Sequence, residues 1–169
     1  MDLYNMDLKR YAGHISMNQK MFLYGFRKYN DSFGGGKRIL GKLMMLPFRI
    51  INGIEIAADT VIGGGLYLGH PYGITINPKA VIGKNCNIHK GVTIGQENRG
   101  KRKGVPVIGD CVWIGVNATI VGHIKIGDDV LIAPNSYVNQ DVPSHSVVFG
   151  NPCTIKHVDY ATEGYINNI

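Results

Sequence analysis

Two hydrophobic periods divide the chain, and they meet at Asn52 and Gly53. Before that point apolar residues recur at helical spacing, as Met17, Met21, Tyr24, Gly25 and Phe26 to Tyr29, and again as Ile39, Leu40, Leu43, Met44 and Leu46. The pattern predicts two short helices. The glycine cluster of Asp31 to Gly36 reads as the loop between them, and Pro47 as the end or a kink of the second. From Ile56 the period becomes six: Ile56, Ile62 and Leu68, then after a slip of two residues Ile76, Ile82, Ile88 and Ile94, and later Ile108, Ile114, Ile120, Ile126, Ile132 and Val138. Glycine follows the aliphatic at 63, 69, 83, 95, 109, 115 and 127.

A six-residue period is too short for an amphipathic helix and matches strand-sized pieces that stack into a solenoid, with aliphatics inward and glycines at the corners. Coils spaced at about 4.8 Å give roughly five coils and a prism on the order of 24 Å long. Open strand edges at the two ends need covering. The organisation expected is a helical cap over 1–52, a solenoid over 53–150 with an extruded loop at 96–107 where the repeat breaks, and a tail over 151–169.

Composition narrows the class. The 169 residues include 23 glycines, spread through apolar sequence and not gathered in one flexible run. Cys86, Cys111 and Cys153 have no CxxC spacing, and no secretory leader is read, which predicts reduced thiols in a cytoplasmic protein and no zinc cage. No apolar run approaches the roughly 20 residues of a spanning helix. The net charge of +6 is concentrated before residue 53, where nine Lys or Arg face three Asp. A solvated helical face and weak contact with the inner, acidic surface of a membrane both fit that excess. A nucleic-acid partner does not, because the cations are diluted by Leu, Met, Tyr and Phe and match no reader motif.

Three stretches carry a resemblance over about residues 54 to 157: GIEIAADTVIGGGLYLGHPYGITI, then IGKNCNIHKGVTIG, and the closing IGDCVWIGVNATIVGHIKIGDDVLIAPNSYVNQDVPSHSVVFGNPCTIK. They resemble the hexapeptide-repeat acyltransferases, the first two looking like serine acetyltransferases and related polysaccharide acetyltransferases. The resemblance implies an all-β solenoid of one kind, a left-handed parallel β-helix of hexapeptide repeats with a short N-terminal helical segment, assembled as a homotrimer. It also implies attack of an acceptor hydroxyl on the thioester of acetyl-CoA as co-substrate, with no metal.

Carried onto this sequence, the family's catalytic histidine falls on His70, and the carboxylate that orients it, fifteen residues upstream, falls on Glu55. A hydroxyl is a poor nucleophile until a base takes its proton, and a carboxylate partner fixes the imidazole tautomer. Cofactor contacts fall on Gln96, Val116 and Pro134, and Lys156 lies in the region after GNPC that family members use for the nucleotide end. The repeat register stacks His70, Lys90, Val116 and Pro134 in one outward column, where Lys90 would disfavour protonated imidazole. In the loop, Arg99, Lys101, Arg102 and Lys103 could meet the CoA phosphates or simply be solvated.

The acceptor is where the sequence departs from the serine enzymes. They carry an Asp just before the histidine and an Arg-His pair in the loop, positions held here by Gly69, Gly104 and Val105. With its basic, apolar-rich lead-in, the chain is therefore expected to acetylate a sugar hydroxyl of a surface polysaccharide or its precursor, with serine O-acetylation as the alternative. Two other readings compete: a zinc carbonic anhydrase, opposed by the repeat register, in which His89 and His123 do not converge on His70, and a non-catalytic trimeric scaffold, which leaves His70 unexplained.

Overall fold

The computed structural model describes residues 1–30 and 35–169. Three helices precede the solenoid: α1 (Leu3–Arg10), α2 (Met17–Asn30) and α3 (Gly35–Asn52). The strands form three parallel faces. One stacks Ile56, Ile76, Ile94, Ile120 and Val138; the second Ile62, Ile82, Ile108 and Ile126; the third Leu68, Ile88, Ile114, Ile132 and Val148. These residues, all buried, make one continuous core of about five coils in a left-handed parallel β-helix. The expected hexad register is the observed one.

The coils are not equal in length. Ile56 pairs with Ile76, whereas Ile76 pairs with Ile94, so the first coil holds two extra residues. They fall between Leu68 and Ile76, at the corner occupied by His70 and Pro71. The repeat break after Ile94 is a second excursion, closed by the bridge between Glu97 and Gly104 and by the Arg102–Glu97 ion pair at 3.2 Å. The far end of the solenoid is covered by Thr154–His157, which pairs antiparallel to Ser146–Phe149.

Helix boundaries follow local chemistry. Asp2 caps α1 by accepting from the Asn5 amide at 2.8 Å. Ser16 and Gln19 form a reciprocal capping box at the start of α2. The α2–α3 crossing runs through Gly25 and Gly41, where a Cβ on Gly25 would meet the Gly41 carbonyl oxygen at 2.8 Å.

Three expectations need correction. A helix at 3–10 was not foreseen, because the residues α1 buries are Asp7 and Arg10, which leave no hydrophobic period to read. Pro47 does not end α3, which continues to Asn52: Pro47 is exposed, and the helix is held on either side of it by buried Met45 and Phe48. Of the proposed glycine loop, Gly35 and Gly36 belong to α3, and 31–34 lie outside the described residues.

The basic excess is not all solvated either. Arg27, 2% exposed, forks onto both Asp7 carboxylate oxygens at 2.7 and 2.9 Å and donates to the Ile62 and Gly63 carbonyls. Asp7 in turn accepts from the Gly65 and Leu66 amides, Arg10 donates to the Gly65 carbonyl and Asn87, and the Tyr11 hydroxyl accepts from the Leu68 amide. Buried side chains thus supply the backbone partners that a coil below the first would have given. Burial pushes the Asp7 carboxyl up, against the pull of Arg27 and the two amides.

The tail after His157 folds back along the third face. Asp129 accepts from the Thr162 amide and hydroxyl and from the Ala161 amide, and contacts His145 Nδ1 at 2.8 Å. Burial alone would raise its carboxyl, but the bonds from Thr162, His145 and Ala161 outweigh it and hold it below the usual carboxylate range. Further along, Tyr165 packs edge-on against Trp113.

Asp7→Ala is expected to lower the unfolding free energy by about 3–5 kcal/mol, the range for orphaning a buried charge. Denaturant unfolding checks it, and a loss below about 1 kcal/mol would show that α1 does not hold the edge. Because the folded Asp129 value is lowered, its contribution is full above the ordinary carboxylate value of about 3.9 and is lost as pH falls through the folded value. Fluorescence of the single tryptophan, Trp113, should report tail release in that acid range, and Asp129→Asn should give the released spectrum at neutral pH.

Candidate active site

The two extra residues of the first coil build the corner that presents His70. His70 follows the strand Tyr67–Gly69 with a φ of +49°, a left-handed conformation costing a non-glycine residue roughly 1–2 kcal/mol. The turn is closed by the Tyr72 amide donating to the His70 carbonyl at 2.8 Å. Pro71 is buried beneath, and the imidazole is exposed.

His70 opens into a cleft of about 390 Å³ between this corner and the helices, whose polar walls include His14, Ser16, Asn18, Gln19 and Asn52, with Tyr72 at the rim. The Gln19 side-chain amide donates to the Leu68 carbonyl at 3.2 Å, tying the start of α2 to the strand that carries His70. Among the described lining residues there is no carboxylate and no Lys or Arg. The aromatic floor is Tyr11 packed at a tilt against Tyr67, 4.6 Å between centroids.

The outward column is real at the backbone level. The Lys90 amide donates to the Gly69 carbonyl, the Asn117 amide to the Lys90 carbonyl, and the Asn135 amide to the Val116 carbonyl. His70, Lys90, Val116 and Pro134 therefore stack along the solenoid axis. A further imidazole, one the sequence offers only as a metal ligand, lies beside this corner: His89, paired with Gly69, its ring packed against Trp113 at 4.7 Å. Burial pushes the His89 pKa down, and the charge of His70 pushes it further. Its Nε2 is buried with no partner among the described residues. A Cβ on Gly69 would overlap the His89 ring. The signal that could have found His89 was its place one coil above Gly69 in the hexad register.

Glu55 is exposed and starts the strand stacked under Thr75. Its segment is bonded to the His70 corner by the backbone: the Gly73 amide donates to the Asn52 carbonyl, and the Glu55 amide to the Ile74 carbonyl. The two side chains face different depressions, that of Glu55 being lined by Arg49, Thr75, Asn77 and Gly95. Among the described residues no hydrogen bond joins the Glu55 carboxylate to His70.

The remaining predicted positions are dispersed. Gln96 accepts from Asn77 at 3.2 Å and donates to Asn98 at 2.7 Å, on the Glu55 side of the molecule. Lys156 is exposed on the antiparallel strand of the tail, opposite Val147. Arg102 is engaged by Glu97, whereas Arg99, Lys101 and Lys103 carry no ion pair among the described residues. The Cys86 thiol, pushed up to about 12 by burial, carries no thiolate at neutral pH.

Residues 106–140 match the family described as bacterial transferase hexapeptide (six repeats). A serine acetyltransferase of Staphylococcus aureus is 42% identical over 130 residues, covering 77% of this chain and 59% of that protein. The chain spans about two to three fifths of the length of the curated relatives it matches. The structure of Neisseria gonorrhoeae serine acetyltransferase in complex with serine superposes with a TM-score of 0.71 at 30% identity, over 91% of this chain and 67% of that one. A serine acetyltransferase complex with CoA, at 22% identity and covering 91% of this chain and 68% of that one, shares the fold with a TM-score of 0.75. Repeat register, three-faced solenoid and identity to the gonococcal protein agree: the chain belongs to the hexapeptide-repeat acyltransferase family and resembles its serine acetyltransferases.

Proposed function

We propose that the protein is an acetyl-CoA-dependent O-acetyltransferase whose acceptor is L-serine. The observation that carries the chemistry is the exposed His70 imidazole on the enlarged corner, opening into a polar cleft. Serine comes first because the relatives are serine acetyltransferases, which reverses the order expected from the sequence.

His70 is the base. It accepts the proton of the acceptor hydroxyl as the oxygen bonds to the thioester carbonyl carbon, and the imidazolium returns that proton to the departing thiolate. Acetyl-CoA supplies the activated acyl group. Glu55 is the proposed positioning carboxylate: its segment is bonded to the same corner, and to fix the imidazole tautomer its exposed side chain must turn out of its own depression towards His70. The column of Lys90, Val116 and Pro134 gives a strip along the axis for an extended thioester arm. Lys156 and the unpaired loop cations suit its phosphates. Gln96 lies around the prism from His70, and a homotrimer would let one subunit's loop face another's corner.

A second reading, a sugar hydroxyl, is favoured by one feature of the cleft. A zwitterionic amino acid calls for charged partners, and beside His70 the cleft offers no carboxylate, Lys or Arg among the described lining residues, only amides, hydroxyls, aromatic rings and the His14 imidazole. At Gly69, where serine enzymes carry an Asp, the His89 ring leaves no room for any side chain.

The test is release of CoA thiol with L-serine and with a panel of sugars and nucleotide sugars. Turnover with serine and none with sugars supports the first reading, the reverse supports the second, and silence with every hydroxyl acceptor removes both. His70→Ala should cut turnover by about 10²–10⁴, and an undiminished variant would end this mechanism. Glu55→Gln should lower kcat more than it changes KM. His70→Ala should also raise the His89 pKa in a histidine NMR titration, because it removes the neighbouring positive charge. An unmoved His89 would show that the two imidazoles do not interact.

A further inference from the structure

Helix α3 has a second apolar face that no described residue covers. Its buried side, Gly41, Met45 and Phe48, packs on α2 and the first coil. On the other side Ile39, Leu43, Leu46 and Ile50 follow at three- and four-residue steps and so form one stripe, flanked by Leu40 and Ile51. These six side chains are between 45% and 76% exposed. The apolar positions that announced this helix in the sequence are thus mostly not its core face. The patch continues onto α2, where Met21 shares a groove with Pro47 and Ile51.

The charges on the helix are of one sign, and one carboxylate, Asp59 of the first coil, shares the groove lined by Ile39, Leu43 and Leu46. Lys37, Arg38, Lys42 and Arg49 lie on α3, which contains no Asp or Glu. Arg38 and Lys42 rest over the Tyr29 ring at 4.4 and 5.2 Å, beside the stripe. A helix with a wide apolar face, a basic flank and no acid matches an anionic lipid surface, with the apolar face sunk into the headgroup boundary. A second copy of the chain suits it less well, since a symmetric α3–α3 contact would set these cations against their equivalents with no carboxylate on the helix to offset them. No described helix is long and apolar enough to cross a membrane, so α3 would lie on the surface. Over about 27 Å it could do so for its full length.

We propose that the exposed face of α3 docks the protein on an anionic lipid bilayer. The same helix reaches the proposed acyl-transfer cleft through its buried side and its end, where Phe48 and Asn52 line it.

The test is flotation of the full-length protein with phosphatidylcholine vesicles and with vesicles enriched in phosphatidylglycerol, at low and high salt. The protein should float with the anionic vesicles only, and less at high salt. Leu43→Glu/Ile50→Glu and Lys37→Glu/Lys42→Glu should each lower the bound fraction by more than about tenfold. Circular dichroism checks that the variants fold, and light scattering gives their mass in solution. Failure of the parent to float, or unchanged flotation of a folded variant, overturns the proposal. So does a smaller assembly for Leu43→Glu/Ile50→Glu than for the parent, which would assign the face to a second copy. Thiol release in the absence of vesicles reads the acyl-transfer proposal separately.

Discussion

Everything in this molecule depends on how the first coil of the solenoid finishes its backbone hydrogen bonds. Each coil satisfies the one below it, and below the first there is none. An open parallel edge would leave amides and carbonyls unpaired at the end of a buried core, at a cost of about 1–3 kcal/mol for each group. The chain answers with side chains. The Asp7–Arg27 pair and Arg10 act as a substitute strand, meeting the carbonyls of Ile62, Gly63 and Gly65 and the amides of Gly65 and Leu66. A buried ion pair is a costly device on its own. It is tolerated here because almost every lone pair and proton it brings inside is used by the edge it covers.

Capping the edge also builds the site. Tyr11, which accepts from the Leu68 amide, is a wall of the His70 cleft, and Gln19, which bonds the Leu68 carbonyl, is another. The helices are thus anchored to the strand that ends in Gly69, and His70 follows directly at a left-handed corner. The two residues that break the hexad register follow His70, which keeps its place in the column over Lys90 while the chain widens beyond it. The His70 corner, the proposed acid–base centre, is held by a rigid scaffold on one side and an anchored cap on the other.

Charge is partitioned by the same architecture. Two cations of the N-terminal segment are taken inside to serve the edge, while those of α3 stay outside around an apolar stripe. What reads in sequence as one basic region is two populations with different work.

The sequence alone determined the solenoid, its register and the stacking of His70 with Lys90, Val116 and Pro134, because a repeat writes its tertiary contacts into its period: residues six apart take equivalent places, and pairing follows by counting. It also marked the corner and the loop, as the places where counting fails. It could not show α1, whose buried face is charged, nor which side of α3 packs, since that helix is apolar on both. Only the tertiary structure decided that His89 fills the space beside Gly69, that Glu55 and His70 open into separate depressions, and that Arg102 is held by Glu97. Those are distances between side chains on different coils and corners, set by rotamers and packing, and no period along the chain encodes them.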